Sequence, residues 1–143
     1  MFERIYLNIT LSFLVKMEDN QVINRHLVTG SKVVTTVTLE VLVNGQRKQI
    51  ASSGDSPINA LHNVLLNAFG YKVGSWWVEQ PSKDKTGTLY STAFVDITGN
   101  GRRYVGGSDF IWDPELSHLF DATLKAYLEA LEHSKQQLTL TSS

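Results

Sequence analysis

Alternation of apolar and polar positions is sharpest between Val33 and Val43. Val33, Thr35, Val37, Leu39, Val41 and Val43 fall on one side of an extended chain, and Val34, Thr36, Thr38, Glu40 and Leu42 on the other. A period of two predicts a strand with one buried face. Asn44-Gly45 then supplies two residues that tolerate positive φ, the mark of a two-residue hairpin turn, and Gln46 to Ser52 returns as the partner strand. A second alternating run spans Thr88 to Thr98, with Leu89, Ser91, Ala93, Val95 and Ile97 on one face. It turns at Gly99-Asn100-Gly101 and returns over Arg102 to Val105, and Gly106-Gly107-Ser108-Asp109 is expected to break it. Between the two runs lie an aromatic strand, Tyr71 to Gln80, and a polar loop, Pro81 to Gly87, expected to be mobile.

Helical spacing follows each hairpin. Ile58, Leu61, Leu65, Ala68 and Phe69 mark one face of a first helix. Ser56 is a good N-cap, Pro57 fits the first helical position, and Gly70 sits where a left-handed C-terminal cap belongs. Asp113 and Pro114 offer a second N-cap and first-turn pair. Leu116, Leu119, Phe120, Leu124, Tyr127, Leu128 and Leu131 then run to about Ser134. Residues 136–143 read as a disordered polar tail. Residues 1–31 read as a weakly structured approach segment. In it Phe2, Ile5, Tyr6 and Ile9 could share a helical face, Met17 to Gln21 forms a polar turn, and Thr29-Gly30-Ser31-Lys32 marks a boundary. One domain is then expected over residues 32–135. Its halves correspond: Asn44-Gly45 to Asn100-Gly101, Gly54 to Gly106 or Gly107, and the Ile58 helix to the Leu116 helix. The expected architecture is α+β, two pseudo-symmetric βββα-type units with helices packed on antiparallel sheets.

Composition removes several functions. The 143 residues carry a net charge of -1, which gives no case for nucleic acid or an anionic membrane as partner. Absence of cysteine excludes disulfides and thiolate metal sites. No apolar run is long enough to span a bilayer, and no small-residue cleavage site follows the fairly apolar Met1 to Val15, so a cytoplasmic protein is expected. His26, His62, His118 and His133 show no metal-ligand spacing, and no nucleophile elbow, P-loop or dinucleotide fingerprint occurs. His62 reads as a partly exposed helix residue. The N-terminus of the first helix, after the Gly54 loop, has two readings: an anion site built from free N–H groups and the helix dipole, or a well-capped core helix. Adjacent Trp76 and Trp77 must point to opposite faces of their strand, one to the core and one to an interface or pocket.

The order of these motifs resembles the C-terminal regulatory domain of 2-isopropylmalate synthase, with a similar domain in citramalate synthases. "VTLEVLVNGQRKQIAS", Val37 to Ser52, resembles that family's first hairpin. "SGDSPINAL", Ser53 to Leu61, resembles its Gly-x-Gly-Pro-hydrophobic-Asp/Asn-Ala signature. "YSTAFVDITGNGRRYVGG", Tyr90 to Gly107, resembles the second hairpin with its Gly-x-Gly step. "DATLKAYLEAL", Asp121 to Leu131, resembles the closing alanine-rich helix, and "FERIYL", Phe2 to Leu7, the segment linking catalytic and regulatory regions. Two departures stand out. Ser56 replaces the usual Gly, and Ser108 to Leu119, with Phe110, Trp112 and Pro114, is longer and bulkier than the usual connection.

The resemblance implies two βββα units, a homodimer, and feedback inhibition by leucine bound near the dimer interface. It also implies a separate catalytic barrel, holding a divalent metal, that this chain lacks. The chain alone would then be an excised regulatory domain with no activity and no cofactor of its own, and residues 1–31 would link to the barrel. The effector-binding residues would be Gly54, Asp55, Ser56, Pro57, Ile58, Asn59 and Ala60, with Trp77, Gly107 and Asp109. Asp55 or Asn59 would accept from the ligand's ammonium. The alternatives are a dimerisation module that binds no ligand and, from another class, a nucleic-acid-binding domain using Trp76, Trp77, Arg102 and Arg103.

Overall fold

The computed structural model describes residues 5–10, 21–30, 33–112 and 116–141. The chain divides into two compact units, Met1–Gly70 and Tyr71–Ser143. Both are α+β, each an antiparallel sheet followed by a helix.

In the first unit β1 (Ile5–Thr10), β2 (Gln21–Gly30), β3 (Val33–Val43) and β4 (Gln46–Gly54) form a four-stranded meander in sequence order. The alternation in β3 places most of its side chains as expected: Thr35, Val37, Leu39 and Val41 are buried and Val34 is 69% exposed, but Leu42, expected on the outward face, is buried too. Opposite them on β2 lie Leu27, Arg25 and Val22, which a bulge between Val22 and Asn24 brings onto the same face. Asn44 and Gly45 take φ of 52° and 75°, the mirror-image turn that matches strand twist. Helix α1 (Pro57–Phe69) packs Ala60, Leu61, Val64 and Leu65 against β3 and β4.

Within the approach segment expected over residues 1–31, the described residues 5–10 and 21–30 are instead two of this sheet's four strands. Across the boundary expected near residue 31, Gly30 of β2 pairs Val33 of β3 in the same sheet. Short, polar-interrupted strands such as "IYLNIT" lack the long alternation that exposed β3, which is why they read as unstructured. The turn expected at Met17 to Gln21 lies largely outside the described residues.

In the second unit β5 (Lys72–Val78) and the short β6 (Ser82–Lys83) lie along one edge of β7 (Leu89–Gly99), and β8 (Arg102–Ile111) pairs the other. Ser91, Ala93, Val95 and Ile97 form the inner face, covered by α2 (Leu116–Thr141) through Phe120, Leu124, Ala126, Tyr127 and Ala130. Asn100-Gly101 repeats the positive-φ turn, at 54° and 75°.

Several expectations are corrected here. Gly106-Gly107 does not break β8; a Cβ on Gly106 would collide with the Ala126 carbonyl and the Ala130 amide, so glycine is what lets α2 lie on the strand. The Pro81 to Gly87 loop is organised by Asp84, whose Oδ1 accepts from the Thr86 amide (2.8 Å), the Thr86 hydroxyl (2.7 Å) and the Thr88 amide (3.0 Å). The Thr86 hydroxyl, foremost, holds that carboxyl below its ordinary range. Residues 136–141 continue α2 rather than forming a disordered tail. The cap expected at Asp113 and Pro114 lies outside the described residues.

Candidate functional site

The residues proposed to bind an effector fall into two groups, one in each unit. Gly54 to Ala60 belong to the first. The sequence signals for α1 hold in detail. Ser56 is extended (φ -145°, ψ 164°), its hydroxyl accepts from the Asn59 amide at 3.1 Å, and Gly70 closes the helix at φ 82°. The loop before it is turned onto the helix. The Asp55 amide donates to Asn59 Oδ1 at 3.3 Å, and the Ala60 amide to the Ser56 carbonyl at 2.9 Å. Pro57 has no N–H to offer. Gly54 lies so close that a Cβ would meet the Ala60 amide and Asn59 Oδ1, each at 2.5 Å. Asn63 Nδ2 ties α1 back to the Ser53 carbonyl at 2.9 Å. Most amides an anion would need here are thus engaged within the loop and helix. Asp55 itself is exposed.

Trp77, Gly107 and Asp109 belong to the second unit and share the sheet face turned away from α2. Trp76 and Trp77 do point oppositely: Trp76 Nε1 donates to Thr123 Oγ1 of α2 at 3.1 Å, whereas Trp77 is 40% exposed. The register sets Trp77, Phe94 and Gly107 in one row across β5, β7 and β8. Trp77 stacks on Phe94 with centroids 5.3 Å apart and planes 16° apart, and Gly107 leaves room for the Phe94 ring. In the next row but one, Tyr90 opposes Ile111, 39% and 47% exposed. Asp109 lies between, accepting from the Thr92 hydroxyl at 2.6 Å. Tyr90, Phe94 and Ile111 escaped the sequence reading because it followed only the inward half of each alternation.

Two charged groups were also missed. Asp96 sits on that outer face yet is only 2% exposed, because Arg103 on β8 covers it as an ion pair. The hydrogen bond Arg103 donates to Asp96 raises the pKa of its guanidinium. Arg25, 2% exposed on the inner face of the first sheet, is pulled by desolvation down to about 10 and stays protonated at neutral pH. The bulge before Arg25 shifts the alternation by one, so a cation reads as solvent-facing when it is not. His62 is half-buried, and desolvation lowers its pKa.

The outer face of the first sheet differs in kind. A polar groove of about 350 Å³ crosses it, lined by Asn24, His26, Thr38, Glu40 and Gln49, with Arg47 pairing Glu40 at 3.4 Å. Among the described residues no cluster of three or more His, Asp or Glu is placed to hold a metal ion, and no helix is long and apolar enough to cross a membrane. In comparisons with known proteins, no family model and no curated protein matches this chain.

Proposed function

We propose that this chain is a self-associating regulatory domain that responds to a small amino acid, in the manner of the 2-isopropylmalate synthase regulatory domains its motifs resemble. The two meander-plus-helix units would be copies of one βββα ancestor, the first with an added strand. The observation that carries the reading is the aromatic outer face of the second unit. Trp77, Tyr90, Val105 and Ile111 are each 39% exposed or more, on a sheet whose other face α2 already fills. Exposed aromatic and aliphatic side chains in one patch mark an interaction surface, and a symmetric pair of copies is the simplest partner.

A ligand-free dimerisation module is the second reading, and the Gly54 loop favours it, since that loop uses its own donors. One experiment separates the two. Sedimentation at rising concentration, with and without millimolar leucine, isoleucine or valine, is expected to show a dimer whose association constant the amino acid changes. A dimer indifferent to all three leaves the ligand-free module. A monomer at high micromolar concentration removes both readings. In a longer parent carrying a catalytic barrel, the amino acid would inhibit turnover, through unequal affinity for two arrangements of the domain.

A further inference from the structure

On the face of the second sheet turned away from α2, the register fixes where each charge stands. Rows of residues cross that face. Lys72, Thr98 and Arg103 make one, and Ser75, Asp96 and Val105 the next. Trp77, Phe94 and Gly107 follow, then Thr92 and Asp109. Arg103 and Asp109 therefore stand on one strand and one face, at equal distances on either side of Gly106. Six residues of strand, about 20 Å, separate them, so they cannot meet within one chain.

Each of the two is half used. Arg103 donates to Asp96 through Nε at 3.3 Å and through Nη2, which leaves both N–H groups of Nη1. The Thr92 hydroxyl takes Asp109 Oδ1 at 2.6 Å and leaves Oδ2. Both side chains are exposed. The buried Asp96 holds the Arg103 fork in a set direction, so less freedom is lost when the fork takes a second carboxylate.

Two copies of such a sheet can pack face to face, about 10 Å apart, around a two-fold axis lying between them. An axis along the strands sets like charge against like. Through β7 it brings Arg103 over Lys72 of the partner subunit, and through β8 over Arg103 of the partner subunit, which opposes association. An axis across the strands at Gly106 does the reverse. Arg103 then faces Asp109 of the partner subunit, and Asp109 faces Arg103 of the partner subunit. The same axis lays the Trp77 and Phe94 row over the row of Val105 of the partner subunit, so the apolar side chains are covered between two ion pairs.

We propose that the chain dimerises in this arrangement, outer face to outer face, with the axis across β8 at Gly106 and two Arg103–Asp109 pairs between subunits. The inference rests on the self-association proposed above and supplies its geometry. It also gives the buried Asp96 a task, since that carboxylate holds Arg103 ready for the partner.

Sedimentation of the whole chain and of charge-reversed variants tests it. Asp109 is exposed and holds only the Thr92 hydroxyl, so Asp109→Arg leaves the core alone. It sets arginine against arginine and is expected to weaken self-association at least tenfold. Arg103→Asp sets aspartate against aspartate and weakens association likewise; it is made together with Asp96→Asn, so that two carboxylates do not face each other within the chain. Mixed in equal amounts, at a concentration where each alone is a monomer, the two variants form a heterodimer, because every pair between subunits is again of opposite charge. Association of Asp109→Arg as strong as that of the wild type overturns the arrangement and leaves self-association standing. Two weakened variants that stay monomers when mixed do the same. A wild-type monomer at high micromolar concentration overturns both.

Discussion

The two units use the same local devices and finish them differently. Each has a β-hairpin closed by Asn-Gly at positive φ, a glycine on the last strand under the helix, and a helix packed on the last two strands. In the first unit the glycine is Gly54, the strand's final residue, and it meets only the first turn of a 13-residue helix. In the second it is Gly106, in mid-strand, and it meets the middle of a 26-residue helix at Ala126 and Ala130. The outer faces differ more. The first is amide, hydroxyl and carboxylate around a polar groove, whereas the second is Trp77, Phe94, Tyr90 and Ile111. Shared devices build the fold, and the unshared surface is where function has to be sought.

The largest expected effect breaks the comparison at its glycines. Gly106→Ala drives a methyl into helix backbone, which cannot turn aside as a side chain can, and is expected to cost about 3 kcal/mol in chemical denaturation. Gly107→Ala meets only the Phe94 ring edge and Thr92, and is expected to cost about 1 kcal/mol. Equal costs would mean that α2 does not lie against β8 as described. Next come the outer faces. Trp77→Ser should weaken self-association by about 2 kcal/mol, roughly thirtyfold by sedimentation, as loss of an aromatic anchor does, while Thr38→Ser on the first sheet changes nothing. If Thr38→Ser matters and Trp77→Ser does not, the interacting surface is on the other unit.

A smaller effect concerns how α2 is fastened. The Tyr127 hydroxyl, buried and raised in pKa by desolvation, donates to the Tyr71 carbonyl at 2.7 Å. Tyr127→Phe leaves that carbonyl unpaired and should cost about 1.5 kcal/mol, with faster amide exchange at the start of β5. The smallest effect is a pH dependence confined to the first unit. Burial holds the His62 pKa below its ordinary value, so the unfolded chain binds the proton first. Stability is therefore full above the ordinary histidine pKa, about 6.5, and declines as pH falls below it, by no more than about 1.4 kcal/mol per pH unit. The denaturation midpoint of the wild type should fall between pH 7.5 and 5.5, and that of His62→Gln should stay level. A parallel fall in the variant would assign the dependence elsewhere.

Much of the fold is legible in the residues because local signals and burial agree. Ser56-Pro57 and Gly70 mark both ends of α1, and Asn44-Gly45 and Asn100-Gly101 mark the hairpins to the residue. What stayed hidden depends on distant partners. Gly106-Gly107 looks like a break until Ala126 and Ala130 are beside it. β1 looks unstructured until β2 pairs it, and Arg25 looks exposed until the bulge is counted. Of the candidate site, Trp77, Gly107 and Asp109 do come together on one sheet face, because the period of two carries them there. That Arg103 shares this face was not legible, since β8 was expected to break at Gly106-Gly107, before Asp109.

The pairing order also fixes how the chain finds its shape. In the first sheet every strand pairs only its neighbours in sequence, and in the second β7 gathers β5, β6 and β8 from within a few turns of chain. Loop closure is therefore cheap in entropy, contact order is low for sheet-bearing units, and folding should be fast for this class. The Asn-Gly turns are expected to set the strand register before either helix docks. The slow event expected in each unit is then the arrival of the helix over its glycine.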